Sequence, residues 1–330
     1  MGYGSYSHLA HEAMLKDRQQ VPAEKLFKQA HCHALMDPKG VRARESRDSV
    51  DHPATLPIVF ALDVTGSMGS IPKLLAKQEL PNFMKLLTDT GVKDPQLLFM
   101  AVGDATCDRA PLQVGQFEST AELMDQWLTW SFLEGGGGGQ KTESYELALY
   151  FLNEHTDTDA WNKRKKRGYI IMTGDELPYP ALSRHQAEAV IGDAIDEDIP
   201  TEAVVAALQE KYEPFFLIPD LARREACERR WRDLLGDHVI CLESAEDTCW
   251  AAAGLVALTE GALPDLKSFA ERLLAHGVER ERVGALTRAL GPYAASLGRG
   301  DAPGASAYGG DAPDDGAPEG KPSFWKRLLG

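Results

Sequence analysis

From residue 56 to residue 261 the sequence alternates short, nearly continuous apolar runs with longer stretches of helical spacing, and that order admits few folds. LPIVFALDV (56–64), QLLFMAVGD (96–104), RGYIIMTGDE (167–176), YEPFFLIP (212–219) and HVICLE (238–243) read as strands buried on both faces. Between them, 71–90, 120–130, 143–155, 185–195, 222–236 and 246–261 carry apolar residues at helical intervals. PLQVGQFES (111–119) alternates, as a short antiparallel edge strand does. The pattern predicts an α/β fold of the doubly wound, Rossmann-like kind. A mostly parallel central sheet with one antiparallel edge strand would carry helices on both faces. Pro81 predicts a kink or break in the helix over 71–90.

The flanks differ. Residues 1–55 are polar and mixed, with helices predicted over 5–18 and 21–30 and a turn-rich, charged run after them. They form an N-terminal extension to a domain spanning 56–262. Residues 263–297 have helical periodicity and form a small extension. Residues 298–322 are rich in Gly, Pro, Ala and Asp and are predicted to be a disordered linker. In the last stretch, 323–330, Phe324, Trp325, Leu328 and Leu329 surround Lys326 and Arg327. One amphipathic turn on a flexible leash suits a partner groove better than a membrane.

Charge narrows the function. A formal net charge of −15 over 330 residues argues against sequence-independent nucleic-acid binding. No apolar stretch approaches the roughly 18–20 residues that span a bilayer, so no membrane is expected as partner. The first residues lack the basic-then-apolar order of a signal peptide. Five scattered cysteines suit reduced thiols, and the expected compartment is the cytoplasm.

In such sheets ligands sit beyond the carboxyl ends of the strands, where strand order reverses. The first strand ends there in DVTGSMG, so Asp63, Thr65 and Ser67 offer oxygen donors at alternate positions of a tight loop. Hard cations such as Mg²⁺ take such donors. Gly66 and Gly69 let the loop fold back. The third long strand ends in IIMTGDE, placing Asp175 and Glu176 at the same edge.

These strings resemble the von Willebrand factor A domain. That family carries a metal-ion-dependent adhesion site written D-x-S-x-S on its first loop, with a Thr on a second loop and an Asp on a third. Here Thr65 stands for the first Ser and keeps its hydroxyl. The resemblance covers about residues 56–260. It implies a Mg²⁺ site (or Mn²⁺ or Ca²⁺) at Asp63, Thr65, Ser67 and Asp175, and protein binding without catalysis, the partner's acidic side chain completing the metal shell. On the second loop, GGGGGQKTESYELAL, the glycines align Thr142 with the family's Thr and the helix aligns Glu143. Thr142 is preferred, although it would also serve as a helix N-cap.

ESRDSVDHPATLPIVFALDVTGSMG further resembles the bacterial cytoplasmic members that accompany MoxR-class AAA+ ATPases. That implies an adaptor or substrate recruiter. The alternatives are a metal-dependent hydrolase or phosphoryl-transfer enzyme, or a structural subunit of a larger assembly. No nucleophile–base pair is readable for the enzyme. Asp104, Asp108 and Glu176 are candidates for the partner rim or a second shell, and ordinary turn acids would read the same. GGGGGQKT is not a phosphate loop, because Gln140 stands where the Walker pattern needs Gly. His8 with His11, and His31 with His33, lack a four-ligand spacing. NKRKKR (162–167) reads as a solvated helix end.

Overall fold

The computed structural model describes residues 4, 6–18, 21–66, 68, 70–135 and 141–300. Ser67, residues 136–140 and the tail bearing Phe324, Trp325, Leu328 and Leu329 lie outside the described residues.

Six strands form the central sheet. They are β1 (Leu56–Asp63), β2 (Pro95–Val102), β3 (Leu112–Val114), β4 (Gly168–Thr173), β5 (Tyr212–Ile218) and β6 (Val239–Cys241). Their order is β6-β5-β4-β1-β2-β3. Every neighbouring pair is parallel except β2 with β3. The chain leaves β1 toward β2 and later returns to its other side with β4. The switch point therefore lies between β1 and β4.

The strand pattern shows why both faces need cover. Ile58, Phe60 and Leu62 join one core with Leu97, Phe99, Ile171 and Phe215. Val59 and Ala61 join the other with Leu98, Met100, Ile170 and Phe216. Alternate residues face opposite ways, and each buried large apolar side chain contributes about 1.5–3 kcal/mol of transfer free energy. The first face is covered by α2 (Leu80–Thr90), α3 (Ala121–Thr129) and α7 (Thr248–Thr259). The second is covered by α4 (Tyr145–Glu154), α5 (Thr201–Lys211) and α6 (Leu221–Leu235). Two further helices, α8 (Leu266–Ala275) and α9 (Arg280–Ser296), pack on α7 through Phe269, Leu290 and Tyr293 and share the first core.

Local outcomes differ from the sequence reading in three places, whereas the helix over 71–90 is interrupted beside Pro81 as expected. A π turn over Leu75–Glu79 divides it, and Pro81 lies in the first turn of α2 directly after. The edge strand expected over 111–119 is regular over Leu112–Val114, and after a one-residue bulge Glu118 pairs with Leu97. The helix expected over 21–30 is Ala23–Leu26, after which Phe27 turns into the core. The helix expected over 185–195 is a short turn, Arg184–Gln186, and a π turn ended by Gly192 at φ +99°.

The N-terminal segment lies along the β3 side. Val114 N donates to the Met36 carbonyl at 2.8 Å, and Arg44 donates to the Val114 carbonyl at 2.9 Å. Arg44–Ser46 pairs in parallel with Thr156–Thr158. His33 stacks on Trp130 at 4.0 Å between centroids, and Arg44 lies over Trp127. The basic run at 162–167 is taken up in ion pairs, with Lys163 on Asp159, Arg164 on Asp48, Lys166 on Glu260 and Arg167 on Glu213. No helix among the described residues is long and apolar enough to cross a membrane.

Helix α1 (His8–Arg18) packs against α2 and α3 and buries His11 completely. The Tyr6 hydroxyl bonds His11 Nδ1 at 2.9 Å, while His11 Nε2 has no hydrogen-bond partner. Burial, and then the charges of His8 and Arg18, push its pKa down from 6.5 to about 4. The unfolded chain therefore binds the extra proton first. Stability should fall as pH drops from 6.5 toward 4, by about 2–3 kcal/mol in all. Amide exchange over residues 8–18 should quicken at pH 4.5, and His11→Phe should abolish that acceleration. Exchange that is independent of pH after correction for intrinsic rates would refute the assignment.

Candidate functional site

The carboxyl ends of β1, β2 and β4 carry the acids singled out in the sequence. Asp63 is the last residue of β1, and Leu62 pairs with Thr173 of β4 across the switch point. Asp63 is fully buried and both its oxygens are engaged. Oδ1 accepts from the Thr65 amide at 2.9 Å and the Thr65 hydroxyl at 2.6 Å. Oδ2 accepts from the Tyr145 hydroxyl at 2.7 Å. The loop thus folds back on its own aspartate, as the glycine at position 66 allows.

Tyr145 was not legible as a site residue. It opens α4 and is wholly buried, edge-on to Phe216 and Trp231, which stack on each other at 3.8 Å. A buried tyrosine hydroxyl needs a partner, and Asp63 supplies it. No spacing in the sequence announces a contact between residues 82 positions apart.

The second loop resolves into a two-residue ribbon. Thr142 and Glu143 pair in parallel with Leu177 and Pro178, tying this loop to the one after β4. Side chains alternate along such a ribbon. Thr142 lies near the Tyr179 hydroxyl, whereas Glu143 lies near the Thr65 hydroxyl and within charge range of Asp63. Thr142 is not a helix cap. Ser144 holds the cap position of α4 and spends its hydroxyl on the Ala105 amide at 2.9 Å.

Glu143 is buried, and its Oε2 has no hydrogen-bond partner. Burial first, then the charges of Asp63, Asp108 and Asp104, push its pKa up to about 9. Burial likewise raises Asp63 to about 6, with Asp175 adding to the rise and Thr65 and Tyr145 opposing it.

Asp104 and Asp108 close on their own turn. Asp104 accepts from Thr106 N at 2.8 Å, Thr106 Oγ1 at 2.7 Å and the Tyr179 hydroxyl at 3.0 Å. Asp108 Oδ2 accepts from Asp104 N at 2.7 Å. They act on Glu143 through charge. Nearby Glu146 is buried with Oε1 unpartnered, and burial raises its pKa to about 8. Asp175 stands just past β4, 2% exposed, and Glu176 gives its carbonyl to Trp231 Nε1 at 3.0 Å.

The donor set is all oxygen. A buried carboxyl with an orphaned atom, a second carboxylate and a hydroxyl fit a hard divalent cation. Among the described residues no three His, Cys, Asp or Glu side chains form a metal cage, so an ion here would be shared between carboxylates and hydroxyls. Asp63, Thr65, Glu143 and Asp175 are the described residues that would hold it. The histidine pairs stay apart from this edge: His8 meets Glu12, and His11 meets Tyr6.

No family model matches the chain, and no curated protein matches it by sequence. Its fold is similar to that of the pilus adhesin SpaC from Lactobacillus rhamnosus GG in the open conformation, at 12% identity and a TM-score of 0.43, over 65% of this chain and 31% of that one. It is also similar to proximal thread matrix protein 1 from the mussel byssus, at 13% identity and a TM-score of 0.40, over 68% and 51%. A von Willebrand factor type A protein from Catenulispora acidiphila aligns at 13% identity and a TM-score of 0.39, over 63% and 43%. This chain spans between about a third and a half of each of these neighbours.

Proposed function

We propose that this chain is a von Willebrand factor A-type recognition module that holds a divalent cation at the β1–β4 switch point and binds a protein partner through it. The observation that carries this reading is Asp63, bonded to Thr65 and within charge range of both Glu143 and Asp175 at the carboxyl edge of the sheet, with Glu143 buried and one of its oxygens unsatisfied. Ser67 would complete the first-loop donors. Mg²⁺ is the expected ion, with Mn²⁺ and Ca²⁺ as substitutes. Once bound it supplies a positive centre that an acidic side chain of the partner can approach.

Geometry favours Glu143 over Thr142 as the second-loop ligand. A third carboxylate raises the affinity of a site for its ion and lowers the ion's pull on an incoming carboxylate. Glu143→Thr should therefore weaken Mg²⁺ binding about tenfold or more by titration calorimetry. Thr142→Val should leave it within about twofold. The reverse ranking would return the role to Thr142.

For the partner, the stretch from Glu45 to Gly69 supports an adaptor or substrate recruiter of a MoxR-class AAA+ ATPase. The test is capture from the native host with tagged protein in Mg²⁺, in chelator, and with Asp63→Ala. A partner held in the first and lost in the other two supports the reading. The same partners in all three would remove the metal from the contact.

A further inference from the structure

Helix α6 is capped by Asp220, whose side chain accepts from the Ala222 amide, and its first turn then carries Arg223 and Arg224. Local anions explain Arg223. Its Nε lies 3.4 Å from Asp175 Oδ2, and its Nη1 lies 4.0 Å from Glu176 Oε1. The two partners are unequal: the Asp175 side chain is 2% exposed and the Arg223 side chain 45%. An arm from solvent reaches in to a carboxylate that the fold has buried. It borders a cleft of about 280 Å³ that Met68, Ser70 and Asp175 share with Asp220 and Glu243.

The contact is long for an ion pair, and the guanidinium is half in water, so the pair itself is weak. A divalent ion with an oxygen shell at about 2.1 Å would bind the same carboxylate far more tightly. Two cations at one carboxylate also repel, so each weakens the other's hold on Asp175.

We infer that Arg223 is the resident counter-ion of the site, which competes with a divalent cation for Asp175. The inference rests on the cation-site reading above. Without the ion, the arginine neutralises the one acid of the site that faces α6. With it, the guanidinium is set free at the mouth of the cleft, beside the place where an acidic partner would arrive. Arg223 therefore sets the concentration at which the site fills.

The test uses the full chain and Mn²⁺ as the probe, followed by titration calorimetry and by the paramagnetic resonance signal of free Mn²⁺. Wild type, Arg223→Gln, Arg223→Lys and Asp63→Ala are compared. Removal of the positive charge should tighten Mn²⁺ binding about five- to tenfold, and lysine should stay within about twofold of wild type. In chelator, Arg223→Gln should melt below wild type, and saturating Mn²⁺ should erase the difference. If wild type and Arg223→Gln bind Mn²⁺ equally while Asp63→Ala does not bind it, the displacement idea fails and the site stands. If none of the first three binds Mn²⁺, both fail.

Discussion

Asp63→Asn is expected to lose divalent-cation binding by about 100-fold or more and, in the same molecule, to melt higher than wild type when no metal is present. The amide keeps an oxygen for the two Thr65 donors, and its NH2 stands where Oδ2 was, so the Tyr145 hydroxyl accepts there instead of donating. What changes is charge. Asp63 titrates at about 6 in the fold against 3.8 in the free side chain, chiefly because burial disfavours the carboxylate. A raised acid pKa means that the folded state binds more protons than the unfolded one between those values. Stability is then highest below pH 3.8 on this account and is lost as pH rises through 6. Above pH 6 wild type carries the full penalty and the asparagine variant carries none. A gain of about 2–5 °C at pH 8 in chelator is expected, shrinking toward pH 4. Melting curves at the two pH values, with calorimetric titration of Mg²⁺, decide it. A variant less stable than wild type at pH 8 would show that the buried charge is not the burden described.

The second large effect is steric. Gly174 lies between β4 and Asp175, and its amide donates to the Leu217 carbonyl at 3.2 Å. A Cβ there would overlap the Tyr145 hydroxyl, 2.7 Å from Tyr145 Cζ and 3.0 Å from Phe216 Cζ. Tyr145 cannot yield, because Phe216 and Trp231 hold its ring from the sides and Asp63 holds its hydroxyl. Gly174→Ala must shift the strand end and Asp175 with it, or drive Tyr145 off Asp63. Overpacking of a locked core costs about 1–3 kcal/mol, and the upper end is expected here. Melting should fall by about 5–10 °C, with Mg²⁺ affinity lost in parallel. Tyr145→Phe removes the oxygen that the new methyl strikes. It leaves Cζ at 2.7 Å, so it should recover only part of the stability in the double variant, a coupling that two independent defects would not show. Additive losses would sink the explanation.

The sheet could be read from sequence because its strands are buried on both faces. In LPIVFALD, Ile58 and Phe60 serve one core while Val59 and Ala61 serve the other, so every position is apolar and the run stands out. Asp63 and Asp175 were legible for a related reason: an acid closing an apolar strand marks the ligand edge of a parallel sheet. Which of Thr142 and Glu143 lies on the Asp63 side was not legible. It depends on a one-residue register, and that register is set by pairing with Leu177 and Pro178, which lie 35 positions away. Tyr145 and Trp231 were hidden because their roles are contacts across the fold. Arg223 left a trace, a cation in the first turn of a helix, which becomes informative once an acid is known to face it.

The strip of N-terminal chain along β3 bears on how this molecule can meet another. An uncovered edge strand offers a row of amides and carbonyls to any extended peptide, the mode by which many recognition domains add a strand from their partner. Here Met36 and Arg44 already occupy β3 at Val114, and His33 and Arg44 roof the tryptophans beside it. The molecule has in effect bound its own peptide at that edge. Strand addition at Val114 is closed on this side.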